Sequence, residues 1–264
     1  MNQYFKIKGK IQPSTSVIIE IAGMVLLICI WFFITSGGRI QKYILPSPID
    51  VLYSLKELHY EDFLIRNALF SIKLNFLGYI EAICISVPLG FLIGLYPFFR
   101  SLFGRYINAM RFVPLTAMTG LFIAWFGIEN NMKVQFLSFG IIVYLLPVVA
   151  QRVLEVEEVY VQTIYTLGAN SWKTIRHVYI PYVFSKIFDD IRVLVAISWT
   201  YIIVAELINK SGGIGALIFT ASRQSRIDKV FAILFLIIAI GFIQDKIFAW
   251  LDKKLFPFKY VSSK

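Results

Sequence analysis

The sequence predicts an all-α membrane protein with about six transmembrane helices. Three observations point there. Of the 264 residues, 58% are hydrophobic and only 16% are charged, against roughly 25% charged in a soluble domain. The mean hydropathy is +0.72, more apolar surface than one globular core can hide behind polar cover. The apolar residues also fall in runs near the roughly 20 residues needed to span a bilayer, with no period-two alternation of the kind that marks a barrel strand.

Residues 17–35, VIIEIAGMVLLICIWFFIT, form the first run. Lysines precede it as in a signal peptide, but its long apolar core and the lack of an A-x-A site favour a retained span. The second covers 74–99 and holds Glu81. The third and fourth cover 112–128 and 134–150. The fifth and sixth cover 191–208 and 230–251. Only helices satisfy the backbone of such segments in lipid without a closed barrel.

Basic residues in the loops set the orientation. With the N-terminus in the cytoplasm, 15 Lys and Arg residues lie inside and 9 outside. Arg100, Arg105 and Arg111 are counted inside, and Lys133 and Lys210 outside. Both termini are then cytoplasmic: an N-terminal segment 1–16, a transmembrane domain 17–251 and a tail 252–264. Basic loops facing an anionic leaflet account for the net charge of +10 without a nucleic-acid partner. The lipid bilayer is the partner implied.

No catalytic, cofactor or metal signature is present. There is no G-x-x-x-x-G-K-[ST], no G-x-S-x-G and no H-E-x-x-H. Cys29 and Cys84 fall inside apolar runs and read as packing residues. His59 and His177 lie on opposite sides of the membrane in this topology, so a histidine metal site is not expected.

The most polar cytoplasmic stretch lies between spans four and five, about 151–186. Residues 155–167 place Val156, Val159 or Tyr160, Ile164 and Leu167 at helical spacing, with three glutamates near the start. Gly168 suits a left-handed C-terminal cap. Ser171 is the expected N-cap of a second helix, whose stripe is Trp172, Ile175 and Val178 or Tyr179. Trp172 is expected to pack on the transmembrane helix ends, with Lys173, Arg176 and His177 pointing elsewhere. Pro181 is expected to discourage further helix.

Ionisable residues within spans invite functional readings. Glu20 is near a span end and can snorkel. Glu81 either makes an interhelix hydrogen bond or works in the pathway, and pairs with Lys73 only through a bridging group. Glu206 either pairs with a helix terminus or lines the pathway. Arg192 is placed to neutralise Asp189 or Asp190. Pro88, Gly90 and Gly94 either kink the second span or let it pack closely. Gly212, Gly213 and Gly215 make a tight outer turn. No single basic residue in a span fixes the charge of a solute.

The stretch 166–181, TLGANSWKTIRHVYIP, resembles the cytoplasmic motif of ABC importer permeases, E-A-A-x-x-x-G-x(9)-I-x-L-P. Gly168 and Pro181 keep its spacing, with Val178 and Ile180 at the two apolar positions. Gln162, Thr163 and Ile164 replace the E-A-A triplet. LPSP at 45–48, PLTAMTGLFIAWFGIENNMKV at 114–134, AELINKSGGIGALI at 205–218 and the terminal LFPFK are similar to the nitrate, sulfonate and taurine branch.

The resemblance implies a type I importer permease working as two copies. It implies a separate ATP-binding subunit in contact with Gly168, Ala169, Asn170, Ser171, Trp172, Lys173, Arg176 and Pro181, and an extracytoplasmic binding protein. The loop of Gly212, Gly213 and Gly215, with Glu206 and Glu81, is the expected pathway or gate. The implied cargo is a small anion such as nitrate, a sulfonate, taurine or bicarbonate; the same branch also covers uncharged or cationic cargo such as pyrimidine precursors. The alternative class, an ion-gradient transporter, would be expected to show internal repeats, and none is evident.

Overall fold

The computed structural model describes residues 9, 11–38 and 40–260, helices joined by short turns, without a strand among them. Residues 1–8 and 10 of the expected N-terminal segment, and 261–264 of the expected tail, lie outside the described residues. The long apolar helices are α1 (Pro13–Thr35), α3 (Leu64–Leu95), α6 (Asn130–Leu154), α9 (Ile180–Ile208) and α11 (Ile227–Leu255). Shorter ones are α2 (Pro48–Tyr60), α4 (Pro97–Met110), α5 (Thr119–Phe126), α7 (Glu158–Thr166), α8 (Ser171–Thr174) and α10 (Ile214–Arg223). Among the described residues, five helices are long and apolar enough to cross a membrane, or six if the bent pair 97–110 and 115–126 is one span.

Contacts divide the chain into two units, 1–62 with 220–235 and 63–219 with 236–264. In the first, α2 opens with a capping box: the Ser47 side chain accepts from the Asp50 amide at 3.1 Å, and Asp50 accepts from the Ser47 amide. The Ser47 hydrogen bonds and nearby Lys42 hold the Asp50 carboxyl below its ordinary range. Arg226 bonds Glu57 at 2.7 Å, and Lys229 bonds Asp62 at 2.6 Å. The Trp31 indole donates to the Pro46 carbonyl at 3.0 Å and lies against Phe231 and Phe235.

The second unit is built on α3 and α6. Gly78, Ala82, Ser86, Gly90 and Gly94 recur every fourth residue along α3 and are all buried, the small-residue ridge that lets helix backbones approach. A Cβ on Gly90 would lie 2.5 Å from Val149 Cβ, and one on Gly94 would lie 2.5 Å from Val153 Cβ. These glycines serve close packing; α3 runs on through Pro88. Gly78 meets Leu137 at the middle of α3 and Gly94 meets Val153 near its C-terminal end, so α3 and α6 run parallel. The intervening chain therefore returns along the length of α6, which makes the bent segment 97–126 a crossing.

That segment corrects the expected span 112–128. Residues 115–118 form a 3-10 turn and α5 has only 8 residues. The 97–110 and 115–126 parts meet at 94°. Two prolines account for this. Proline disfavours helix in the residue before it, so Tyr96 is extended and α3 stops at Leu95, short of the expected 99. Pro114 is likewise extended and opens the turn that follows.

α9 runs antiparallel to both helices. Tyr79 donates to the Ile191 carbonyl at 2.6 Å, and the Ser198 hydroxyl to Asn75 Oδ1 at 3.0 Å. Arg192 pairs with Asp245 at 2.5 Å rather than with its neighbours; Asp190 is held by Arg152 and Asp189 by Lys259. Phe122 of α5 packs edge-on to Phe136 of α6, in a core with Leu115, Met132 and Ala205. Cys29 and Cys84 are exposed on the surfaces of α1 and α3, not packed inside.

Candidate coupling loop and outer cluster

The polar loop folds from its local signals. α7 ends in a paired turn: the Gly168 amide donates to the Tyr165 carbonyl at 2.9 Å, and the Ala169 amide to the Ile164 carbonyl at 3.1 Å. This is the Schellman arrangement, whose C′ residue takes a left-handed conformation. Gly168 has φ +79°, and a Cβ there would meet nothing within 4 Å. Glycine is therefore required by the backbone and not by crowding.

Asn170, not Ser171, is the N-cap of the next helix. Its Oδ1 accepts from the Lys173 amide at 2.9 Å, which makes Ser171 the first helical residue. Asn and Ser are about equally good caps, so composition alone does not separate neighbours. Pro181 does not stop the helix either. Residues 175–179 form a π turn, with the Ile180 amide bonded to the Ile175 carbonyl, and the helix continues to Ile208. The wider turn accommodates the missing amide and the ring of proline. The helical run is thus 171–208, well before the expected start at 191.

The loop presents apolar as well as polar side chains. Leu167 is 80% exposed and Trp172 66% exposed. Trp172 therefore does not pack on the helix ends; Thr174 is the buried residue of α8. Lys173, Arg176 and His177 are exposed, as expected. Thr163, in place of the second motif residue, turns its hydroxyl back to the Val159 carbonyl at 2.6 Å. The stems are tied at the base. Arg152 of α6 holds Asp190 of α9 through Nε at 2.7 Å and Nη2 at 2.8 Å, and also reaches Glu155 at 2.7 Å.

A second cluster forms at the opposite end. Glu206 is fully buried. Its Oε1 accepts from the Ser71 hydroxyl at 2.6 Å, and its Oε2 from the Gly215 amide at 2.7 Å. Ser71 Oγ in turn accepts from the Ile214 amide at 2.8 Å, and Asn67 Oδ1 from the Gly213 amide at 2.9 Å. Of the free amides at the start of α10, that of Gly215 meets the carboxylate directly and that of Ile214 reaches it through Ser71, an arrangement that a helix N-terminus favours. Of the two readings of Glu206, pairing with a helix terminus is the one seen. Gly213 has φ +101°, and a Cβ there would fall 2.1 Å from the carboxylate.

Lys133, counted in an outer loop from sequence, is fully buried in α6. Its Nζ donates to Ser211 Oγ at 3.1 Å and lies 5.3 Å from the Phe70 ring centre. Sequence reasoning missed Lys133, Ser71 and Asn67; the one available signal was a lysine directly before an apolar run. Glu81 stands apart from this cluster and accepts from Gln135 of α6 at 3.0 Å, the interhelix bond. Among the described residues no group of three His, Cys, Asp or Glu could hold a metal ion.

Residues 86–257 match the family model for the binding-protein-dependent transport system inner membrane component. The chain is 24% identical over 257 residues to the taurine transport system permease protein TauC of Escherichia coli (strain K12), covering 96% of this chain and 94% of that one. It is 25% identical over 256 residues to the bicarbonate transport system permease protein CmpB of Synechococcus elongatus, covering 92% and 90%. Among solved structures, the inward-facing MetNI methionine ABC transporter shares its fold, with TM-score 0.63 and 15% identity over 74% of this chain and 97% of that one. The chain belongs to the inner-membrane permease family of binding-protein-dependent ABC transporters.

Proposed function

We propose that this permease imports a small solute bearing an oxyanion group, such as a sulfonate, taurine or bicarbonate, and is driven through the α7–α8 turn by a separate ATPase subunit. The observation that carries the coupling reading is that turn. It is fixed by the Gly168 cap, its stems are clamped by Arg152 and Asp190, and it presents Leu167 and Trp172 to the outside. A short, rigid, capped pair of helices transmits displacement where a floppy loop would absorb it. The apolar side chains offer a foothold in place of the missing E-A-A triplet.

Two copies form the pathway in this reading, with both termini in the cytoplasm and a binding protein at the Glu206 end. Phe112 at 87%, Trp125 at 62% and Ile128 at 64% exposure are the kind of apolar surface that a second copy would cover. The similarity to the taurine and bicarbonate permeases supports an oxyanion, since sulfonate and carboxylate-like groups share that chemistry. The test is uptake of radiolabelled taurine, ethanesulfonate, bicarbonate and nitrate by cells carrying the permease with its ATPase and binding protein. Uptake of one, abolished by deleting the ATPase, is expected. Uptake that persists without the ATPase would contradict the ATP-driven reading, and uptake of none of the four would contradict the cargo.

A further inference from the structure

Arg111 stands at the break between α4 and the 3-10 turn that opens α5. It lines two cavities, one of 310 Å³ and one of 200 Å³. The smaller cavity is walled by Gly140, Val143 and Tyr144, which flank the midpoint of α6, and by Tyr201 of α9. The larger reaches along α6 to Gln151 and Leu154, toward the end from which the coupling loop emerges, and is lined there by a second guanidinium, Arg100. Arg111 thus lies near mid-depth of the bundle and not in an inner loop.

An arginine at that depth is expensive against lipid and is tolerated where it faces a wet cavity. Backbone broken at mid-depth is likewise tolerated only where it lines such a cavity or is buried in protein. Both conditions meet at 111–114. The guanidinium also has capacity to spare. It bonds Asn108 Oδ1 at 2.7 Å and makes no ion pair among the described residues. A planar fork of N–H donors suits an oxyanion. Lipid headgroups, the other source of such a group, lie at the membrane faces.

We propose that Arg111 receives the oxyanion group of the solute halfway along the pathway, with the Tyr144 and Tyr201 side chains as the opposite wall, and that Arg100 marks its way to the inner end. This rests on the oxyanion-import reading above.

The test uses the full complex in cells, in a Cys29→Ser, Cys84→Ser background. The probe is whichever of taurine, ethanesulfonate, bicarbonate and nitrate the unaltered complex takes up. Arg111→Cys should lower uptake at least tenfold at an unchanged membrane level. Aminoethyl methanethiosulfonate, which places a cation on the new thiol, should restore a large part of it. The sulfonatoethyl reagent, which places an anion there, should not. Arg111→Gln should show the same loss while ATP hydrolysis stimulated by the binding protein stays within twofold, which separates solute handling from assembly. Normal uptake by Arg111→Cys, equal restoration by both reagents, or loss of ATP hydrolysis in parallel with uptake would overturn the proposal while leaving the import reading intact. Uptake of none of the four probes by the unaltered complex would overturn both.

Discussion

The carboxylate of Glu206 accepts the amide of Gly215 at 2.7 Å, closing the turn between α9 and α10 on itself. The same carboxylate accepts the Ser71 hydroxyl from α3, so one buried side chain joins three helices. Glu206→Ala leaves a buried hydroxyl and amide without their acceptor and Lys133 without its nearby opposite charge. We expect a loss of about 3 kcal/mol, read as a lower melting temperature of the purified complex. Gly213→Ala should act in the same direction, since its Cβ cannot share space with the carboxylate. An unchanged melting temperature in both variants would show that the clamp does not stabilise the fold.

Gly94→Val should separate α3 from α6. Its Cβ would lie 2.5 Å from Val153 Cβ, between two backbones already in close approach. Overpacking of this kind costs about 1–3 kcal/mol. Val153→Ala in the same chain should recover part of the loss, because it removes the atoms that collide. Thermal unfolding of the single and double variants measures both effects, and failure of the second change to help would place the strain elsewhere.

Asp50 gives the α2 cap a pH dependence. Ser47 holds its folded-state pKa below the ordinary carboxylate value. Its stabilisation is therefore fully present above the unfolded value, about 3.9, and is lost as pH falls through the lower folded value. Wild type should be more stable than Asp50→Asn at pH 6, and the gap should close as pH drops below about 4. Melting temperatures of the two proteins across that range provide the check.

Arg152→Lys should loosen the stems of the α7–α8 loop without removing the charge. Lysine cannot reproduce the two parallel bonds to Asp190. The pair is partly exposed, so little stability should be lost. Solute moved per ATP hydrolysed should fall severalfold, and an unaltered ratio would show that the clamp is not part of the transmission.

Much of this was legible in the sequence because lipid narrows the options. Apolar runs of spanning length had to be helices, and the Gly168 cap followed from one residue type at the end of a periodic stretch. The α2 cap had a readable signal in Ser47, Pro48 and Asp50, but no apolar run drew attention to it. Two of the errors share a cause. Pro181 and the run 112–128 were judged by local rules, whereas a π turn absorbs one proline and a second, Pro114, bends the other segment. The depth of Arg111 and the burial of Lys133 depend on how α4, α5 and α6 pack, which no local pattern encodes. Glu206 was narrowed to two roles, and only its neighbours Ser71 and Gly215 could decide between them.

The most direct test of the coupling role of the α7–α8 turn is uptake alongside ATP hydrolysis in proteoliposomes holding the whole complex, with Gly168 replaced by Val. A β-branched residue at φ +79° is strained although the space around it is open, so the substitution alters the shape of the turn and not the packing of the membrane domain. We expect normal insertion and assembly, uptake reduced at least tenfold, and ATP hydrolysis no longer stimulated by the loaded binding protein. Uptake and stimulation at wild-type levels would contradict the role assigned to this turn.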